Sequence, residues 1–358
     1  MILNIVKVFI PLTVSFVIGL VLIAPLLIRF LNKFKLWKKT SVSVTIDGKA
    51  APIAASFHKD EIRKTPRMGG ITVWLSTFCT VLLMWLLSYF VPGDVTSKMN
   101  FLSRNQTWLP LFTLIIASLV GLIDDFMVTR DQSSKLSYKA GGLPLSLRIA
   151  IVMLLGALGG SWFYWKLGVT AISIPFYGLL PVGALIVPLF ILVMLAIFSG
   201  GVIDGIDGLS GGIMATIFAA YAGIAFYQDQ IDIATLSAVI VGGILAFLWF
   251  NIPPARFFMS ETGMLGLTTT LTVIAFLTDA VVFLPIIALP LFATSASDII
   301  QVLSKRYRGK KVFLSAPLHH HFQAIGWPSY TVTMRYWIIG IICAVLGMVL
   351  TVLGKLMI

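Results

Sequence analysis

The chain has 358 residues, 58% hydrophobic and only 11% charged, with a formal net charge of +12 and a mean hydropathy of +0.99. Soluble domains are about half apolar and one-quarter charged, so this composition excludes an ordinary soluble enzyme and predicts an all-α polytopic membrane protein. Roughly 20 apolar residues make one crossing, which leaves room for about ten transmembrane helices and little else.

In chain order the predicted crossings run over about 8–30, 70–91, 109–126, 147–166, 183–203, 211–227, 235–251, 263–281, 283–304 and 335–354. The first is too long for a signal-peptide core, and the basic stretch "NKFKLWKK" follows it where a cleavage site would stand. With the N-terminus outside, 21 of the 26 lysines and arginines fall on inward segments, leaving Lys7, Lys98, Arg104, Lys166 and Lys355 outside. That bias follows the positive-inside rule, and an even number of crossings places both termini on the outer side. The expected organisation is one transmembrane helical domain over 1–358 with inward loops at about 31–69, 124–146, 199–212, 251–263 and 305–334. Its basic face suits membrane lipids of negative charge, and no motif supports nucleic acid. Cys79 and Cys343 each sit in an apolar run and are expected to pack rather than form a disulfide or bind metal.

The carboxylates fall on one face of this map. Asp124 and Asp125 end the third crossing in "GLIDDF", Asp204 and Asp207 lie in "DGIDGLSGG" at the inner end of the fifth, and Glu261 follows the seventh in "FFMSETG". Singly, each reads as an interfacial acid whose charge reaches water at little cost. Together, paired hard-oxygen ligands at a membrane edge suit magnesium, which keeps several waters and is completed by substrate phosphate. Gly205, Gly208, Gly211 and Gly212 would unwind a helix end and expose amides to phosphate, although glycine also serves helix packing in membranes. In "APLHHHF", His319, His320 and His321 are adjacent and point in divergent directions, which disfavours a shared zinc ion. A phosphate donor or proton shuttle is the functional reading, and solvent-exposed decoration the plain one. His58 stands alone in a basic loop and receives no role.

The ordered set "TPRMGG" (65–70), "GLIDDF" (121–126), "DGIDGL" (204–209), "FN" and "PA" before "FMSETG" (250–263), and "APLHHHF" with "GWP" (316–328) resembles the bacterial phospho-N-acetylmuramoyl-pentapeptide transferase (MraY) family. That family belongs to the polyprenyl-phosphate N-acetylhexosamine-1-phosphate transferase superfamily. The resemblance implies Mg²⁺-dependent transfer of phospho-MurNAc-pentapeptide from UDP-MurNAc-pentapeptide to undecaprenyl phosphate, giving lipid I and UMP for peptidoglycan synthesis. It implies a multi-pass protein of the bacterial plasma (inner) membrane, with its active site on the cytoplasmic face, and a homodimer. By motif position, Asp124 would deprotonate the attacking phosphate, with Asp125 beside it near the metal and Glu261 in the metal-ligand place. Asp204 and Asp207 would line the nucleotide pocket, Asn251 would be a polar contact, Phe258 would stack on uracil, and His319, His320 and His321 would form the histidine motif. The competing reading of Phe258 is burial against lipid.

Departures from the family pattern concentrate at the same motifs. Glu261 replaces an aspartate, Phe198 and Gly201 replace asparagines, and Val128 replaces a lysine. Arg148 stands for another lysine, while Lys64 and Arg67 replace Gly and Thr and add positive charge near the phosphate region, so all three are candidate substrate-binding residues. Two other readings stay open. One is a related transferase using UDP-GlcNAc, whose members lack the triple histidine; the other is a transporter, which would place acids near mid-membrane and repeat one half in the other.

Overall fold

A computed structural model of the chain describes residues 2–37, 64–91, 93–129 and 142–356. Much of the expected inward loops 31–69 and 124–146 lies outside these residues, including Lys38, Lys39, Lys49, His58, Lys59, Arg63, Arg130, Lys135 and Lys139.

Among the described residues nine helices are long and apolar enough to cross a membrane: Leu3–Lys33, Ile71–Phe90, Trp108–Thr129, Leu145–Lys166, Gly183–Ile203, Leu209–Tyr227, Ile231–Asn251, Ser260–Leu277 and Ser329–Leu356. A tenth crossing comes from Val281–Ile287 and Leu289–Arg308 taken together, a pair bent by 79°. The bend has a local cause: Pro290 starts the second piece and cannot donate to the carbonyl a turn earlier, so the helix breaks at Ala288. In chain order this bent pair is the ninth span and Ser329–Leu356 the tenth. The protein is thus a multi-pass helical membrane protein. Among the described residues the one departure from all-helical structure is an antiparallel hairpin, Ala171–Ile174 with Gly178–Pro181. The sequence reading passed over it because a pair of four-residue strands between long apolar runs leaves too short an alternation to register.

The sixth, seventh and eighth spans form the centre, with the eighth 89% buried, whereas the fourth and the tenth are only 22% and 28% buried. The first span packs on the seventh, the third on the eighth, and the sixth on the seventh and the tenth. Shielding explains an odd composition. The eighth span carries the run "TTTLT", which lipid would penalise, yet Thr268, Thr269 and Thr272 donate their hydroxyls to the carbonyls of Met264, Leu265 and Thr268 at 2.7, 2.7 and 3.3 Å. A hydroxyl satisfied by its own helix tolerates burial. The outer spans present residues such as Phe9, Leu26, Leu154, Leu192 and Ile342 outward, as lipid-facing helices do.

Lys7 pairs with Asp232 at the start of the seventh span at 2.7 Å, and Lys355 donates to the Thr278 carbonyl just past the eighth at 3.3 Å. Asn251 and Glu261 sit at the other ends of those two spans. Both terminal spans therefore bring their outer ends to the side of the bundle opposite the acids.

The third and eighth spans touch backbone to backbone near the acids. A Cβ on Gly121 would lie 2.2 Å from the Glu261 carbonyl oxygen, an atom that cannot swing away. Gly121→Leu is therefore expected to cost about 1–3 kcal/mol through overpacking. It should lower the thermal unfolding midpoint of detergent-solubilised protein, whereas Leu119→Ala on the exposed face should leave it nearly unchanged.

Candidate active site

Three helix ends and two loops meet at one end of the bundle. Asp125 lies one turn before the end of the third span with a fully buried side chain. Its Oδ2 accepts the Thr262 amide at 2.9 Å and the Thr262 hydroxyl at 2.6 Å. Its Oδ1 accepts Arg67 Nε at 3.0 Å and pairs with a second guanidinium nitrogen at 3.0 Å. The Arg67 amide donates to the Leu36 carbonyl at 3.0 Å. Burial opposes the Arg67 charge, but Asp125 beside it more than offsets that and raises its pKa. One carboxylate thus ties the third span, the eighth span and the approach to the second.

Asp124 is held differently. Its Oδ1 accepts the Leu143 amide at 2.5 Å, a contact allowed by Gly142 at φ +106°, where a Cβ would lie 2.9 Å from that same oxygen. This fixes the entry to the fourth span, whose first turn carries Arg148. From there Arg148 reaches across to Glu261, its guanidinium 2.5 Å from Oε1. The field at Glu261 comes from Arg148, Asp124, Asp125 and Arg67, so the acids and both arginines share one neighbourhood. Among the described residues, hydrogen bonds reach only one oxygen of Asp124 and one of Glu261.

The loop "DGIDGL" closes the site from the fifth span. Asp204 accepts Ser210 Oγ at 2.6 Å and the Ser260 amide at 2.8 Å. Burial raises its pKa against these bonds, which lower it. Asp207 accepts the Ala255 amide at 3.0 Å. Asn251 is buried and spends both ends of its amide internally, accepting the Gly208 amide at 2.9 Å and donating to the Phe257 carbonyl at 2.9 Å. It braces two loops against each other. Trp337 Nε1 of the tenth span holds the same loop through the Gly208 carbonyl at 3.1 Å.

Phe258 is half-buried and lies outside the hydrophobic core, whereas its neighbour Phe257 is fully buried and stacks on Phe247. Backbone bonds with Pro66 and Gly69, at 2.9 and 2.8 Å, set Phe258 beside Arg67. The three histidines do diverge. His320 Nδ1 bonds Gln323 at 2.7 Å and His321 Nδ1 accepts the Leu314 amide at 3.3 Å. His319 is fully buried with both ring nitrogens unpartnered. Its Nε2 would lie 2.4 Å from a Cβ on Gly205, so the histidine motif abuts the aspartate loop. Burial, with His320 adjacent, pushes its pKa well below the usual value.

Lys64 is exposed and bonds none of the acids. Of the departures, Phe198 packs against the core, and a Cβ on Gly201 would meet Met264 Cβ at 3.8 Å, an ordinary van der Waals contact. Sequence reasoning missed Thr262, Ser210, Ser260 and the Leu143 amide, the groups that orient the acids. Thr262 stood beside Glu261 in "SETG", but which carboxylate it served depended on a neighbouring helix.

Asp125 and Asp124 should therefore respond differently to neutralisation. Asp125→Asn removes the counter-charge of a largely buried guanidinium, at about 1–3 kcal/mol. It is expected to lower the unfolding midpoint clearly more than Asp124→Asn, measured by thermal unfolding of both variants in the same detergent.

Comparison with known proteins identifies the family. The family model for glycosyl transferase family 4 matches residues 107–279, which run from the third span through the eighth and include all five acids. The phospho-N-acetylmuramoyl-pentapeptide-transferase of Anoxybacillus flavithermus is 35% identical over 343 residues, covering 94% of this chain and 96% of its own. Its counterpart from Geobacillus sp. WCH70 is 35% identical over 350 residues with the same coverage, 94% and 96%. That of Bacillus subtilis is 32% identical over 338 residues, covering 93% and 94%. With near-complete overlap on both sides, the chain belongs to the phospho-N-acetylmuramoyl-pentapeptide-transferase family.

Proposed function

We propose that this protein transfers phospho-MurNAc-pentapeptide from UDP-MurNAc-pentapeptide to undecaprenyl phosphate, forming lipid I and UMP in a Mg²⁺-dependent reaction. The observation that carries this reading is the gathering of Asp124, Asp125, Asp204, Asp207 and Glu261 with Arg67 and Arg148 at one end of the bundle. Phosphoryl transfer asks a protein mainly for positioning and charge neutralisation, and this cluster offers both. The relatives, phospho-N-acetylmuramoyl-pentapeptide-transferases by name, support the identity of the transferred group.

Magnesium fits the donor set. No three of the described His, Cys, Asp and Glu residues converge to hold a metal alone, but magnesium is commonly held by one or two carboxylates plus substrate phosphate. Glu261 would hold it through Oε2, with Asp124 adjacent. Bound there, the ion would neutralise charge building on the diphosphate as UMP leaves.

The chain's own residues do the rest. The open Oδ2 of Asp124 accepts the proton of the attacking lipid phosphate. A phosphate oxygen of the carrier bonds to the sugar-linked phosphorus of the donor as the bond from that phosphorus to the UMP oxygen breaks. Asp125, with both oxygens engaged, frames the site and fixes Arg67. Phe258 stacks on uracil, Asp204 and Asp207 line the nucleotide side, and His319, His320 and His321 lie against the aspartate loop. Lys64, exposed at the rim, attracts the anionic donor. The lysine and arginine bias puts the acid end at the cytoplasmic face of the bacterial plasma membrane and both termini outside. A homodimer follows the family resemblance.

Purified protein with undecaprenyl phosphate, Mg²⁺ and UDP-MurNAc-pentapeptide is expected to release UMP and form a lipid-linked product. Asp124→Asn should lower the rate about 10²–10⁴-fold, the range for loss of a general base. UMP release from UDP-GlcNAc in place of this donor, or an unchanged rate in Asp124→Asn, would overturn the assignment.

A further inference from the structure

Two of the cluster's cations are held in different ways. Arg67 belongs to a carboxylate whose oxygens are both saturated by protein. Arg148 makes a single-oxygen contact to Glu261, and its Nε is buried with no hydrogen-bond partner among the described residues. A buried guanidinium N–H left without an acceptor costs free energy, and a planar fork with an unused donor matches a phosphate oxygen well. Among the described residues Glu261 likewise keeps Oε2 uncommitted. Both side chains are about one-quarter exposed, at 25% and 26%, so the pair borders water rather than lying sealed in the core. The charged groups around it are Asp124, Asp125 and Arg67.

We infer that Arg148 is the resting counter-ion of Glu261 and is exchanged on loading: a divalent cation takes Glu261, and the released guanidinium turns to the donor's diphosphate. This rests on the metal role of Glu261 proposed above. The physical reason is charge balance. A buried-edge carboxylate without a cation would be destabilised or neutralised, so an empty site needs a substitute charge close by. Once a divalent ion arrives, Arg148 beside it would be a like charge, and the anionic donor supplies the acceptor that its Nε lacks. The arrangement couples the two ligands: whatever removes Arg148 from Glu261 favours the cation, and whatever removes Glu261 from Arg148 favours the diphosphate.

The opposite signs of these effects test it on full-length purified protein, with Mn²⁺ as the metal probe read by electron paramagnetic resonance. UDP is the diphosphate probe, read calorimetrically in EDTA. Arg148→Gln is expected to bind Mn²⁺ about two- to fivefold more tightly than wild type, the scale of one partly exposed competing ion pair. Glu261→Gln is expected to lose Mn²⁺ yet bind UDP in EDTA several-fold more tightly than wild type, a gain that disappears in the Glu261→Gln/Arg148→Gln double variant. Arg148→Lys keeps the charge with less directed donors, and its Mn²⁺ affinity should fall between wild type and Arg148→Gln, which guards against misfolding of the neutral variant. Equal or weaker Mn²⁺ binding in Arg148→Gln, or no UDP gain in Glu261→Gln, overturns the exchange while leaving the metal reading intact. Absence of Mn²⁺ binding to wild type overturns both.

Discussion

The arrangement depends on giving Asp125 enough partners to stay charged inside a membrane protein. A buried carboxylate survives when its lone pairs are filled and a cation stands next to it. Asp125 obtains this from Thr262 on one oxygen and Arg67 on the other. Each bond reaches a different element, so satisfying one charge also fixes where the third span, the eighth span and the 64–70 segment meet. The close approach at Gly121 is the steric counterpart of that electrostatic demand.

Around this junction the helices divide by what they face. The eighth span is wrapped by other helices and can carry threonines and, at its first turn, Glu261. The outer spans see lipid and remain almost wholly apolar. The acid cluster thus gathers at the end where the shielded helices begin or stop, and the loops there are held by side chains from helices: Asn251 between two loops, Trp337 on the aspartate loop, and Ser297 Oγ accepting the Leu318 amide at 2.9 Å beside the histidines.

The substitutions relative to the family pattern read coherently as charge management. Glutamate at 261 is longer than the aspartate it replaces, and the arginine at 148 has the reach and fork to meet it. Arginine at 67 supplies a permanent cation to Asp125, where the pattern has a neutral threonine. At the two asparagine positions, by contrast, Phe198 packs against the core and Gly201 lies beside Met264, and neither residue brings a polar side chain in return.

Composition and the spacing of apolar runs were sufficient to establish a helical bundle of nine or ten crossings, because a membrane tolerates no other repeating pattern of that length. Motif order was likewise enough to pick out the five acids and both arginines. What a linear reading could not give was the partners that set Asp124 and Asp125 apart, or whether an arginine meets substrate or a carboxylate. Those differences lie in contacts between residues 58 and 137 positions apart, Arg67 with Asp125 and Asp125 with Thr262. Helical periodicity encodes which face a residue occupies but not which helix stands opposite. The inward histidine His319, the 79° break in the ninth span and the hairpin at 171–181 were decided the same way, by packing against elements distant in the chain.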